Sequence, residues 1–472
     1  MRNSVIAATG SLIFLLGGCV SYHPKPLDPR AQLAALDART FPAGTLVQLR
    51  DAAAGPPDAP VFDASDGLSE AELMAVAVML NPDLQAARAS IGETEALLIS
   101  AKTLPNPEVG VGFGVGLLGT DGFKLGTDLL FEFLKPGERE ARQAVATARI
   151  ALTRVEVLAR EYEIAAEIRR LAFNVAVAEQ AIVILDAELA LRQQATGLVR
   201  RRRDVGEAND LDISAVDLEL VEVQRDRRLA QIELEQARLA LNRELGLPPS
   251  SVITLESSGK PLEVPLIDAV QFGDLDERLL SSRLDLKARE AAYQVSEEEL
   301  RLATARQFLK LKAGPLYEHD GVSENFAGVS ASVEIPIFDR NQGEIAEKTA
   351  ARDRSRAEYT AALHRLRSEA AAALARVRAI RAEIDTQQRE VLPLLERSQT
   401  LSRGAFEARE LNVLDWVTAQ QRALRTRRAY LDTVISYRRA LLDLEALSGF
   451  PVWRFAPLPE PSSLSPQKRN AP

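Results

Sequence analysis

The sequence predicts a mainly α-helical protein with a small membrane β-barrel portion, built from long coiled-coil hairpins that alternate with two β-hairpins. Three observations predict it. Apolar residues recur at threes, fours and sevens over stretches much longer than an ordinary helix, which is the pattern of a coiled-coil seam. Two shorter stretches alternate with a period of two, so their large side chains share one strand face. The same succession of elements then occurs twice, about 200 residues apart.

Composition points the same way. The chain has 472 residues, 46% hydrophobic but only 5% aromatic, which favours long helices packed through small and aliphatic side chains. A formal net charge of -9 argues against a nucleic-acid binder. The basic run Arg200–Arg203 reads instead as a partner-facing surface at a helix end, where cations suit the helix dipole. No apolar run after Cys19 reaches the length of about 18 residues that a spanning helix needs. Any spanning part must then be a closed β-barrel.

Residues 1–18 have the order of a secretory signal: basic Arg2, an apolar stretch from Val5 to Leu16, then Leu16-Gly17-Gly18 before Cys19. Cys19 is the single cysteine, so no intrachain disulfide can form. The segment resembles the lipobox of bacterial lipoproteins. That resemblance implies lipidation of Cys19 and, with Val20 behind it, an outer-membrane address. Residues 19–67, rich in Pro, Ala and Asp, read as an extended, lipid-anchored leader.

The first repeat covers 68–249. A helix at "LSEAELMAVAVML" is followed by a second one, capped by Asn81 with Pro82 in its first turn, to about Thr103. A β-hairpin follows at about 107–134. Val109, Val111, Phe113 and Val115 alternate there with Gly110, Gly112 and Gly114. So many glycines would weaken a sheet with two packed faces, whereas lipid on one side and a wet or crowded lumen on the other tolerates them. Long helices fill about 136–246, with Leu158, Ile168, Val175, Ile182, Leu185 and Leu189 on the seam. A turn at Val205, Gly206, Glu207, Ala208 and Asn209 divides them, and Gly246 with Pro248-Pro249 stops them.

A linker at 250–275 leads to the second repeat, 276–451, with a hairpin at about 310–338 and long helices at about 340–448. Leu366, Ala370, Val377 and Ile384 carry their seam, Pro393 is placed to bend them, and Arg409, Glu410 and Leu411 form the second turn. A flexible tail occupies 452–472. The period changes from two to helical at Pro136-Gly137 in the first repeat and between Pro336 and Gly343 in the second, which makes these the junctions between strand and helix.

No catalytic constellation is present. His23, His319 and His364 are scattered without metal-ligand spacing, and the only methionines are Met1, Met74 and Met79. The chain is therefore expected to be no enzyme, to hold no metal and to need no cofactor.

Four strands fall short of the roughly eight that the smallest barrel requires, so the barrel has to be shared between subunits. At this point the sequence resembles the TolC family of outer-membrane efflux proteins. The residues that carry the resemblance are "NPDLQAARA" from Asn81, "KPGER" from Lys135, "PIFDRNQGEIA" from Pro336 and "LNVLDWVTAQ" from Leu411. The "IFDRNQG" run is most similar to the branch serving heavy-metal resistance pumps of the resistance-nodulation-division (RND) class. The resemblance implies a homotrimer in outer-membrane lipid with a shared twelve-stranded barrel and an α-helical tunnel. It implies docking through the two turns on a periplasmic adaptor, which is joined to an inner-membrane pump. It also puts Asn412 and Asp415 at a periplasmic entrance gate, where Asp415 matches the family's motif and Asn412 departs from its first aspartate. The alternative reading is a periplasmic coiled-coil adaptor or scaffold.

Overall fold

The computed structural model describes residues 21–40, 67–115, 123–256, 264, 266–267, 272–320, 324–449 and 453–454. Cys19 and the signal segment, leader residues 41–66, residues 116–122 and 321–323, part of the linker and nearly all of the tail lie outside the described residues. Two compact units divide the chain. The first, Met1–Phe41, contains α1 (Pro29–Asp37), whose N-cap Asp28 accepts from the amides of Arg30 and Ala31.

The second unit holds everything else. In chain order it runs α2 (Glu70–Leu80), α3 (Pro82–Lys102), β1 (Glu108–Val115), β2 (Phe123–Phe133), α4 (Glu138–Asp204) and α5 (Asp210–Leu245). It continues with β3 (Leu266–Ile267), α6 (Phe272–Ser282), α7 (Leu284–Ala305), β4 (Lys310–Asp320) and β5 (Glu324–Glu334). Then come α8 (Gln342–Thr386), a π-helical turn (Gln387–Val391), α9 (Leu392–Glu407), α10 (Val413–Ser448) and β6 (Trp453–Arg454). At 67 residues, α4 is about 100 Å long. No helix of the described residues is long and apolar enough to cross a membrane.

Duplication extends to single hydrogen bonds. Gly246 and Gly449 end α5 and α10 in the left-handed conformation, with φ of 75° and 76°, where glycine is favoured. A Cβ on Gly246 would stand 2.3 Å from the Leu80 carbonyl oxygen, and one on Gly449 would stand 2.9 Å from Ser282 Oγ. Leu80 and Ser282 are themselves equivalent, as the last residues of α2 and α6. One residue on, Asn81 Nδ2 donates to the Glu244 carbonyl (2.7 Å) and Arg283 Nη1 to the Leu447 carbonyl (3.1 Å). Two different side chains thus satisfy the same orphan helix-end acceptor.

Coiled-coil seams supply the cores. Leu374, Val377, Ile384, Val434, Tyr437 and Leu441 pack between α8 and α10, and Leu185, Val223 and Ala230 between α4 and α5. Leu158 departs from the expected seam: it is exposed, and Val157 is buried in its place. A straight helix drifts by about 20° per heptad from a strict seven-residue repeat, so one register cannot hold along all of α4. Pro393 follows the π turn, in which the Leu392 amide donates to the Gln387 carbonyl. That turn rearranges the ladder just where the proline lacks a donor.

Candidate functional site

Strands β1, β2, β4 and β5 form one antiparallel sheet in that order. Its register decides which side chains share a face. Val109 pairs with Leu129, Phe131 with Ala313, and Leu311 with Val333. The odd-numbered residues of all four strands therefore lie on one side, and they are almost wholly apolar. That side is uncovered: Val109 is 72% exposed, Phe113 72% and Val329 78%. A sheet face this apolar is normally buried against helices or set in lipid.

The even-numbered side is polar. Lys312 Nζ lies 2.6 Å from Glu108 and Lys310 Nζ 3.0 Å from Glu132. Glycines make room on this side, since a Cβ on Gly110 would collide with the Asp128 carboxylate, 2.0 Å away. The alternation that looked wasteful in sequence allows side chains of one strand to lie across the next. Among the described residues, β1 and β5 each have one unpaired edge, a row of amides and carbonyls able to pair with another strand.

At the first junction Pro136 precedes Gly137, which enters α4 in the left-handed conformation (φ 76°). At the second, the left-handed residue is Asn341 (φ 62°), held by hydrogen bonds from its side chain to the Ala303 carbonyl and to Glu344. Gly343 lies inside the first turn of α8, and Pro336 just beyond the end of β5. Asparagine tolerates this conformation almost as glycine does, and Asn341 lies between Pro336 and Gly343, which bracket the change of period.

The two turns at the far end of the long helices repeat one design. Gly206 (φ 79°) follows α4 and Arg409 (φ 65°) follows α9. In each, the next amide reaches back five residues, Glu207 to the Arg202 carbonyl and Glu410 to the Ala405 carbonyl, closing a Schellman motif. Val205 is the C-cap of α4 and Ala208 packs against the tip core. Asn209 and Asn412 then cap α5 and α10. Asp212 and Asp415 occupy equivalent third positions: Asp212 accepts from the Asn209 amide (2.9 Å) and Asp415 from Asn412 Nδ2 (2.8 Å). Capping therefore gives both aspartates a local role.

Sequence reasoning missed what joins the turns. Phe406 is 1% exposed and sits in a core with Val199, Val216, Val413 and Val417. Its ring stacks on Trp416 at 4.4 Å and 10°. The Arg202 guanidinium lies 3.9 Å from the ring centroid and donates to the Phe406 carbonyl (2.9 Å). Arg409 bonds Glu207 (2.9 Å) across the turns, leaving Leu411 against the same core.

Further along, Arg428 of α10 bridges Glu188 of α4 (2.8 Å) and Asp226 of α5 (3.1 Å). Burial would raise the Asp226 carboxyl, but bonds from Arg225 and Arg428 outweigh it and hold the group low. Beside it, burial pushes Glu219 up despite Arg192. The two Arg428 pairs join residues 202 and 240 positions apart, so no local pattern announces them. Among the described residues no group of His, Cys, Asp and Glu could hold a metal ion.

A two-faced, open-edged sheet set on long helical hairpins is one share of a transmembrane duct that continues as a helical wall. Residues 73–247 and 275–450 match the family model "Outer membrane efflux protein", one match for each repeat, and the chain belongs to that family. It is 24% identical over 397 residues to the cobalt-zinc-cadmium resistance protein CzcC of Cupriavidus metallidurans, covering 83% of this chain and 92% of that protein. Solved structures with the same fold include CusC (TM-score 0.66, 20% identity, 84% of this chain and 96% of that one). The outer membrane protein VceC of Vibrio cholerae is another (TM-score 0.64, 17% identity, 81% and 96%). The chain is an outer-membrane efflux channel component, and these matches do not favour the adaptor or scaffold alternative.

Proposed function

We propose that three copies of this chain form the exit duct of a tripartite efflux system, each giving four strands to a twelve-stranded barrel and its long helices to a periplasmic tunnel. The observation that carries this reading is the sheet. Four strands with two open edges and an uncovered apolar face have no stable solution in one copy, whereas a closed ring in lipid satisfies both edges and the face. The duct conducts passively and performs no catalytic step. Energy comes from an RND-type inner-membrane pump, reached through a periplasmic adaptor that contacts Val205–Asn209 and Arg409–Leu411. Pro136, Gly137, Pro336 and Gly343 flank the passage from barrel to tunnel. Asn412 and Asp415 line the entrance, and lipidated Cys19 tethers the leader to the membrane.

Divalent heavy-metal cations are the proposed cargo, supported by the similarity to the cobalt-zinc-cadmium resistance protein. A strain lacking this protein should become sensitive to cobalt, zinc or cadmium before it becomes sensitive to organic drugs. The reverse order would remove metals as the cargo and leave the duct in place.

A further inference from the structure

The duplication makes one joint inside the chain a copy of a joint that the chain leaves open. Leu84 and Leu286, both buried, are equivalent positions of α3 and α7. Glu108 and Lys310 open β1 and β4. Glu132 and Glu334, each between two apolar residues, stand near or at the ends of β2 and β5. Strand β4 thus answers to β1, and β5 to β2. The same holds in the helical wall, where neighbours run α3, α4, α7, α8 and the contact of α4 with α7 joins the equivalents of α8 and α3.

We infer that the free edge of β5 meets β1 of a second copy of this chain in the register of the internal β2/β4 joint, placing Val333 opposite Val111 of the next copy. This rests on the trimeric duct reading and adds the residue-level seam to it. Two constraints select the register. Apolar odd-numbered faces must run on across the seam, so direct partners must both be odd; a slip by one would turn every side chain to the wrong face. Among the even slips, repeat equivalence chooses one. Internally Phe131 lies opposite Ala313 and Phe133 opposite Leu311, which translate to Val333 opposite Val111 and Ile335 opposite Val109. The pair one step up is Ala331 opposite Phe113, a small residue facing a large one as at Phe131 and Ala313. On the polar side Ser332 meets Gly112, so no bulky groups collide there.

Engineered disulfides test the seam. Direct partners stand about 4.5–5.5 Å apart at Cα, inside the window a disulfide requires, while a slip by two moves the partner to about 7–8 Å. Val333→Cys combined with Val111→Cys in the full-length protein should, on oxidation in the membrane, shift the one-chain band to two- and three-chain bands that reduction reverses. Ala331→Cys with Phe113→Cys should do the same, which guards against one pair disturbing folding. The out-of-register pair Val333→Cys with Phe113→Cys should stay at one-chain mass. A trimer that links only out of register, or not at all, overturns the seam and leaves the duct. A protein that is monomeric in mild detergent, or that links to a different protein, overturns both.

Discussion

Val329 and Ser330 are neighbours in the chain and stand on opposite faces of the sheet, so exchanging each for arginine isolates the central structural statement. Val329 lies at the middle of β5, pairs with Pro315 and is 78% exposed on the apolar side, while Ser330 pairs with Gly314 on the polar side. The eleven residues of β5, tilted by about 40°, rise about 28 Å. Val329 therefore sits near the bilayer midplane. Arginine there costs about 2–4 kcal/mol on the lipid face of a barrel, a shift of roughly 30- to 900-fold in the folding equilibrium. Ser330→Arg places the same charge in water and should change stability by less than about 1 kcal/mol. Urea unfolding in phospholipid vesicles, followed by the mobility difference between folded and unfolded barrels on gels, measures both. Equal losses for the two variants, or a larger loss for Ser330→Arg, would refute the assignment of faces.

Three further outcomes follow from the rest of the molecule. Phe406→Ala should destabilise the tip by about 3–5 kcal/mol and speed amide exchange in residues 400–416, while the amides of β4 and β5 keep their protection; uniform exchange would mean that Phe406 does not hold the turns together. Asp415→Ala should raise leak through the closed duct, whereas Asp212→Ala, which loses an equivalent helix cap, should not; equal behaviour would leave Asp415 with its capping role alone. Stability should also depend on pH with two opposed contributions. For Asp285 and Glu299 burial acts upward, but Arg283 in one case and Arg149 with Lys348 in the other hold the carboxyls below their ordinary values. Their stabilisation is present above the ordinary carboxylate range and is lost as pH falls through the lower folded values. Glu219, raised by burial, contributes oppositely, its share falling as pH rises above its ordinary value. Thermal unfolding from pH 3 to 7 should show a weaker acid limb in Glu299→Gln, and an unchanged limb would exclude that group.

What was legible in the sequence was what repeats locally. A period of two requires no knowledge of the partner strand, so the apolar face of Val109, Val111 and Phe113 could be read directly, and its emptiness followed from the glycines opposite. Ile168, Val175 and Leu366 could be placed on seams for the same reason. Backbone conformation at single residues was less legible: Asn341 and Arg409 both enter the left-handed region with no glycine at the position to announce it. That last position should cost about 1–2 kcal/mol of backbone strain, partly offset by the Glu207 bond. Least legible were the links between hairpins. Arg202 and Phe406, or Arg428 and Glu188, meet only after both repeats have folded, and each looks like an ordinary helix residue until then. Equivalence of Asp212 and Asp415 was available from the repeat, since the turns align, but a resemblance to a gate motif drew the eye to one copy.

The most direct measurement is the single-channel conductance of the purified protein in planar bilayers, with its mass measured in the same detergent. The account predicts a trimer that conducts ions, because closing copies of the sheet into a ring satisfies both edges of each one. A stable monomer that does not conduct would contradict it.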